Sequence, residues 1–350
     1  MVRKAESSVR TRNVRSATIA DRNDNAGIEV VRGRLDDTVA EELLDFWARE
    51  GALDEAKARA RLPEVVCVLR GADGAIAGAC SVFAADLELI GGRRFWMYRS
   101  LLPGDARQRF SAMLEAAYAA LDADYDGAAG EPIGLALLLD ESERAQRPEA
   151  EWQAPRTIYA GYLADGRQVR LAYFTAARSV GESGWPLESG YRVEPFDAQD
   201  LVAPDDVIAM WTAEGVLPDA EARRRVDEVM LVATDDEGTL AGVTTRYLQH
   251  NAQLRMDLWY IRAFTSQAHR GSSIAVSLAV LGREHLEQRY VSGRDTRAAG
   301  MIYEVENEGL KKYFPNAVWK PADVIFIGEN ERGAHVRVHY FQGAVAPEPG

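Results

Sequence analysis

Apolar and polar positions follow a fixed succession of periods along this chain, and that succession occurs twice. A short β-type run, Ile28–Arg32, precedes Val39, Leu43, Phe46 and Trp47, whose spacing predicts an amphipathic helix. A second helix carries Ala56, Arg59 and Ala60. Glu64–Arg70 and Ile76–Ala84 are β-rich runs on either side of Ala72-Asp-Gly74, and Asp-Gly is a two-residue hairpin signal. A strand at Arg94–Arg99 then runs into a long helix starting near Arg107, followed by a strand, a short helix and a closing hairpin. The second pass reads Arg192–Pro195, helices, Val229–Thr234 and Thr239–Tyr247 across Glu237-Gly238, Met256–Phe264, and a long helix from near Arg270. The predicted order β-α-α-β-β-β-α-β-α-β-β is an α/β fold, a mixed sheet flanked by helices.

The two passes match residue by residue. Phe46–Gly78 reappears as Met210–Gly242 at an offset of 164, with 14 identities in 33 positions, where chance gives roughly two. Trp47/Trp211, Glu50/Glu214, Gly51/Gly215 and Glu64/Glu228 are among them. Phe95-Trp-Met-Tyr-Arg99 answers Leu258-Trp-Tyr-Ile-Arg262, Arg107 answers Arg270, and Gly166, Arg170 and Phe174 answer Gly333, Arg337 and Phe341. A period this long predicts domain duplication. The expected layout is a disordered tail at 1–26, an N-terminal domain at 27–175, a Gly/Ser/Pro-rich linker at 176–190 and a C-terminal domain at 191–345.

Composition narrows the function. The formal net charge of −13 argues against a duplex nucleic-acid binder and is compatible with a cationic substrate. No apolar run approaches the length of a membrane span, and the amino terminus lacks an apolar signal core, so a cytoplasmic location is expected. Cys67 and Cys80 sit in apolar strand runs and read as buried thiols rather than metal ligands. His335, Arg337 and His339 alternate with Val336, Val338 and Tyr340, which predicts a half-buried strand with its polar face outward. No metal site is expected. Arg99 and Arg262, duplicated in apolar strands, are expected to pair with Glu64 and Glu228.

The segment Ile261–Ala275 (IRAFTSQAHRGSSIA) carries the clearest chemistry. A strand ends, a polar loop follows, and a small-residue turn opens a helix, leaving N–H groups outward at the positive end of the dipole, a ready site for a pyrophosphate. Arg270 adds positive charge, and Gly271, Ser272 and Ser273 allow close approach. A plain helix start capped by serine is the other reading of the same residues.

The element order and this segment together resemble the GNAT superfamily of acyl-CoA-dependent N-acyltransferases, once per half, giving two tandem GNAT-like domains. That family holds the CoA pyrophosphate on a Q/R-x-x-G-x-G/A turn, to which Arg270, Ser273 and Ala275 correspond, with Gly271, Ser272 and Ile274 between them and Ser273 in place of Gly. Asn307-Glu-Gly-Leu-Lys-Lys-Tyr-Phe314 resembles the family's N-x-x-A-x-x-x-Y segment near the thiol end, with Leu310 replacing Ala, Phe314 in the Tyr position and Tyr313 one residue early. In the first half Phe110 stands at the glycine position, so the second half is the expected CoA site.

The resemblance implies transfer of an acetyl or other acyl group from acetyl-CoA to a primary amine of a small molecule or peptide, with no metal. It implies an oxyanion-binding N–H somewhere within Ile261–Phe264, with Ile261, Ala263 and Phe264 as cofactor-binding residues. Glu304 (or Glu306 or Asp257) is the implied base and Tyr313 (or Tyr260) the implied acid, with Asn307 near the cofactor. The alternatives are a non-catalytic binding or assembly protein, which Ser273, Phe314 and Phe110 favour, and an aminoacyl-tRNA-dependent transferase, which the acidic charge opposes.

Overall fold

The structure is a computed structural model, and it describes residues 27–177, 190–313 and 317–349. The expected tail lies outside the described residues, as does most of the expected linker. The first half runs β1 (Ile28–Val30), α1 (Asp37–Arg49), α2 (Glu55–Arg61), β2 (Val65–Arg70), β3 (Ile76–Leu87), β4 (Arg93–Leu101), α3 (Phe110–Asp124), β5 (Gly134–Leu139), α4 (Glu141–Ala145), β6 (Glu151–Gln153), β7 (Arg156–Tyr162) and β8 (Gln168–Tyr173). The second runs β9 (Tyr191–Pro195), α5 (Pro204–Ala213), α6 (Asp219–Arg225), β10 (Val229–Asp235), β11 (Leu240–Asn251), β12 (Met256–Thr265), α7 (Ile274–Val291), β13 (Gly300–Val305), α8 (Glu308–Tyr313), β14 (Val318–Trp319), β15 (Val324–Glu329) and β16 (His335–Tyr340). Local chemistry sets the boundaries. The Asp36 carboxylate accepts from Val39 N–H at 2.9 Å and the Asp54 carboxylate from Lys57 N–H at 2.8 Å, so each caps a helix start.

Each half forms an eight-stranded mixed sheet, ordered β1-β2-β3-β4-β5-β8-β7-β6 in the first and β9-β10-β11-β12-β13-β16-β15-β14 in the second. The two orders are the same path through the fold, so the duplication legible in the residues is a duplication of topology. The expected α/β architecture holds, with a short extra strand (β6, β14) at the end of each sheet. The long helices start three to four residues later than the sequence pattern suggests. Arg107 lies in a 3-10 turn, Gly104–Arg109, and Arg270 follows a shorter one at Gln267–His269.

Three points of side-chain placement bear on the expectations. Cys67 and Cys80 are buried free thiols facing each other across β2 and β3. Arg99 pairs with Glu64, and Arg262 with Glu228 at 3.1 Å, as expected. The polar face of β16, however, does not point outward: Arg337 and His339 are buried. Strand β16 lies between β13 and β15, and α7 together with residues 317–323 closes over the face carrying those side chains. His339 Nδ1 donates to the Asp323 carbonyl at 2.9 Å, and Arg337 Nη1 donates to the Ala317 carbonyl at 3.3 Å. A period-two pattern fixes which side chains share a face, and the cover on that face is a tertiary matter.

The halves meet around a pseudo-two-fold axis through one continuous apolar core that takes Tyr159, Val169 and Tyr173 from the first sheet and Phe326, Val338 and Tyr340 from the second. Contacts across it come in reciprocal pairs, the signature of an isologous interface. The Tyr173 hydroxyl donates to the Phe326 carbonyl at 2.9 Å, and its equivalent Tyr340 donates to the Tyr159 carbonyl at 2.8 Å. Ala150 N–H donates to Ala344 at 2.8 Å, and Ala317 N–H donates to Ala177 at 3.1 Å. Gln253 Nε2 bridges the axis, donating to Ala160 O at 3.0 Å and Ile327 O at 2.9 Å. Gly161 allows this approach, since at φ +123° a Cβ there would lie 2.8 Å from the Gln253 carbonyl.

At the same seam Arg156 makes two bonds to Asp323, at 2.6 and 2.9 Å, and is also held by Glu151. Asp323 lies 3.4 Å from His339 Nδ1, and Glu287 lies 3.7 Å from Nε2. Burial alone would lower the His339 pKa, but Asp323 and Glu287 outweigh it and raise it to about 9 from 6.5. A raised imidazole pKa stabilises the folded chain fully below the unfolded value, and that stability is lost as pH rises through the folded one. The protein is therefore expected to lose on the order of 2–3 kcal/mol between pH 6.5 and 9.5. Urea melts across that range check it: His339→Gln should flatten the slope, and an unchanged slope would remove His339 as its source.

Candidate functional site

The strand that carries the site is β12, and its pairing changes partway along. Its parallel pairing with β13 covers only Trp259–Met301, Tyr260–Ile302 and Ile261–Tyr303. Beyond Ile261, β12 continues to Thr265 paired with β11 alone, from Thr245–Arg262 to Gly242–Thr265. The edge of Arg262–Thr265 that faces away from β11 therefore has no partner strand among the described residues. The backbone there is free to pair with an extended ligand lying in the splay, in the manner of an added strand. Ile261 is buried at the apex, Ala263 is exposed and Phe264 is half-buried.

This open edge leads into the start of α7. Gly271 sits at φ +98° with open space around it, which lets the chain turn back. The Ser272 hydroxyl donates to the His269 carbonyl at 2.7 Å and lies 3.4 Å from Ile274 N. Ser273 holds the cap position without a side-chain bond to the helix amides, and the Ser272 hydroxyl accepts from Ile274 N–H instead, so the serine-capped helix start is met by the neighbouring residue. The first helical bond runs from Ser277 N–H to Ser273 C=O. The N–H groups of Ala275 and Val276 consequently have no intrahelical acceptor, and Ala275 is exposed, while Ile274 N–H donates to Ser272 Oγ. Arg270 is exposed beside them, its Nη2 3.6 Å from Glu214. Glu214 also accepts from Gln267 N–H through both oxygens at 2.9 Å, so it anchors the loop and orients Arg270 at once. The sequence marks Glu214 only as a repeated residue; its task needs α5 and the loop brought together.

The sheet face opposite α7 carries the titratable groups. Tyr260 is buried there next to Tyr247, and its hydroxyl accepts from Asn251 Nδ2 at 2.9 Å. Burial raises its pKa, so the phenol keeps its proton. Glu304 stands two residues beyond Ile302 on that face. Its oxygens accept from Asn330 Nδ2 at 3.0 Å and Arg332 Nη2 at 2.8 Å, two partners from the β15–β16 turn that the sequence did not suggest. Glu306 shares Arg332 at 2.7 Å and is exposed. Asp257 is placed elsewhere, at the other end of β12, paired with His250 at 2.9 Å. Asn307 caps α8, accepting from Leu310 N–H at 3.1 Å. Tyr313 ends α8, but its side chain, like Phe314 as a whole, lies outside the described residues. Among the described residues no group of three or more His, Cys, Asp or Glu side chains is placed to hold a metal. No helix among them is long and apolar enough to cross a membrane.

The first half has the same splay, with parallel pairing limited to Trp96–Leu135, Met97–Ala136 and Tyr98–Leu137, but fills it. Phe110, the equivalent of Ser273, packs edge-on against Tyr98 at 6.2 Å. The Arg147 guanidinium covers Phe110 at 4.7 Å and Trp152 at 5.3 Å. Phe110 is thus held between Tyr98 and Arg147.

No family model matches the chain. No curated protein matches it either. Among solved structures, an acetyltransferase of the GNAT family from Streptococcus pneumoniae is similar at 11% identity, covering 43% of this chain and 99% of its own, with a TM-score of 0.31. A GNAT family N-acetyltransferase from Escherichia coli in complex with CoA is similar at 18% identity, covering 47% and 91%, with a TM-score of 0.30. The ribosomal-protein-S5-alanine acetyltransferase from Vibrio fischeri is similar at 9% identity, covering 46% and 97%, with a TM-score of 0.31. These are likenesses of fold, and the site stands on its own geometry.

Ser273→Phe imports the residue that the first half uses. It is expected to abolish CoA binding in calorimetry while leaving the melting temperature within a few degrees of the native value. Undiminished binding would place the ligand elsewhere than at this turn.

Proposed function

We propose that the protein is an acyl-CoA-dependent N-acyltransferase that moves an acetyl group from acetyl-CoA to a primary amine, with its site in the second half. The observation that carries the reading is continuity. The unpaired edge of β12 runs directly into a helix start with Arg270 beside it, and the small Ser273 stands there where the first half has Phe110 stacked on Tyr98. An amide-bearing arm suits the strand edge, and a pyrophosphate suits the helix end.

Acyl transfer to an amine needs a deprotonated nitrogen, a donor for the developing oxyanion and a proton for the departing thiolate. The backbone N–H groups between Ile261 and Phe264 serve as the donor. Tyr260, neutral and buried beside the splay, supplies the proton, and Tyr313 is the other phenol on this side of the sequence. Glu304 accepts the amine proton through water. It keeps acceptor capacity beyond its bonds to Asn330 and Arg332, because an ionised carboxylate offers about four lone-pair sites. The overall acidity of the chain favours approach of a cationic amine.

Calorimetry with acetyl-CoA and CoA tests the binding half of this reading. Arg270→Glu should weaken binding roughly 100-fold, about 2.7 kcal/mol, by reversing the charge at the pyrophosphate position. With binding in hand, an amine panel read by free-thiol release tests the chemistry. Tyr260→Phe should lower kcat roughly 100-fold with KM little changed. Binding without turnover across the panel would favour the non-catalytic reading, for which the engagement of both Glu304 oxygens already speaks. No binding at millimolar CoA would sink the acyltransferase reading.

A further inference from the structure

The duplication supplies an internal reference for every position, and one position departs from it sharply. Val82 of β3 is buried in the first half's core. Its equivalent on β11, at the offset of 164, is Arg246. The Arg246 guanidinium stacks 4.7 Å over Trp259, its Nη1 is buried with no hydrogen-bond partner, and it forms no ion pair among the described residues. Arg289 on α7 has its Nε buried and unpartnered as well. One turn before it, His285 is half-buried. Arg297, the second guanidinium over Trp259 at 4.9 Å, is fully engaged by Asp295 at 2.9 and 2.8 Å.

Arg246 and His285 line a cavity of about 340 Å³, together with Asp197, Asp227, Phe196 and Met230. This cavity lies apart from the turn at Arg270 and from the open edge of β12. The first half has Gly33 and Pro63 where the second has Asp197 and Asp227. There the corresponding tryptophan, Trp96, is covered by Arg32 at 4.9 Å, and Arg32 is neutralised by Asp124 at 3.4 Å. Each copy closes one guanidinium–carboxylate pair over this tryptophan, and the second adds Arg246, which makes no ion pair among the described residues and borders a hollow. Buried cations in proteins are paired, so an unpaired one next to a cavity marks the place of a missing anion. Burial and the neighbouring Arg246 and Arg289 lower the His285 pKa against the opposing pull of Asp197, so this wall carries charges of both signs.

We propose that this cavity is a second ligand site, which takes a small molecule bearing a carboxylate or phosphate, with the acid group on Arg246 and His285. Asp197 and Asp227 bring acceptors to the same lining, so a ligand that also carries an ammonium group meets both. The bidentate fork of Arg246 suits either acid group.

Calorimetric titration of the full chain with γ-aminobutyrate, butyrate and inorganic phosphate tests the site. Binding of phosphate alone assigns a phosphate ligand, and binding of the two organic acids assigns a carboxylate. A several-fold preference for γ-aminobutyrate over butyrate, lost in Asp197→Asn, identifies the acidic residues as the ammonium partners. In each supporting case Arg246→Val weakens the probe at least tenfold and does not lower the melting temperature, because valine is what the sister copy carries there. No binding of any probe, or an Arg246→Val protein that binds as well as the native one, overturns the proposal. So does a lowered melting temperature without binding, since Arg246 is then a structural lid on Trp259. Acetyl-CoA binding, measured on the same variant, should be unchanged, which keeps this outcome separate from that of the acyltransferase reading.

Discussion

Arg156 and Asp323 occupy equivalent positions in the two copies, 167 residues apart, and they bond to each other across the axis that relates those copies. In a two-fold dimer of identical chains a residue at the axis meets itself, and a charge there would meet its own sign. Duplication within one chain removes that restriction, and the pair has become a guanidinium and a carboxylate held in a largely buried seam. Breaking such a pair from one side leaves an uncompensated buried charge, which costs several kcal/mol. The reciprocal tyrosine bonds and the Gln253 bridge lie around this pair. Together they set the two sheets face to face, close the β7–β8 and β15–β16 ends against one another and leave the splayed ends of β4 and β12 on the outside.

That arrangement lets the copies diverge without risk to the fold. The seam residues answer to each other, whereas the splays answer only to local packing. The first copy fills its splay with Phe110, Arg147 and Trp152, gaining aromatic and cation–π contacts in place of a ligand. The second copy has the small Ser273 at the position of Phe110. The exchange runs the same way on the α7 side, where apolar or small residues of the first copy, Val82, Gly33 and Pro63, face charged residues in the second. On the proposed reading function resides in the second copy, and the first supplies half of the seam.

The repeat itself was legible because identities survive at positions with one demanding requirement, such as a buried tryptophan or a glycine at positive φ, as at Gly51 and Gly215. The hairpins and both amphipathic helices were legible for a similar reason, since turn chemistry and periodicity are local. The pairing of Arg262 with Glu228 could be anticipated because the same two residues recur together in the first copy. Glu214, Asn330 and Arg332 were not foreseen as parts of the site. Each acts through a loop or turn that comes from another part of the chain, and nothing local marks it.

By itself the sequence determined the α/β class, the twofold repeat of one strand-and-helix order, and the turn at Arg270–Ala275 with its outward helix amides. These follow from neighbours within a few residues or from identity at a constant offset, which no folding step can alter. Only the tertiary structure decided that the copies face each other across Arg156 and Asp323, that the polar face of β16 is inward, and that β12 parts from β13 after Ile261. It alone decided that Arg246 makes no ion pair among the described residues. Each of these depends on which distant segment covers a given face, and burial, unlike periodicity, is a property of the assembled chain.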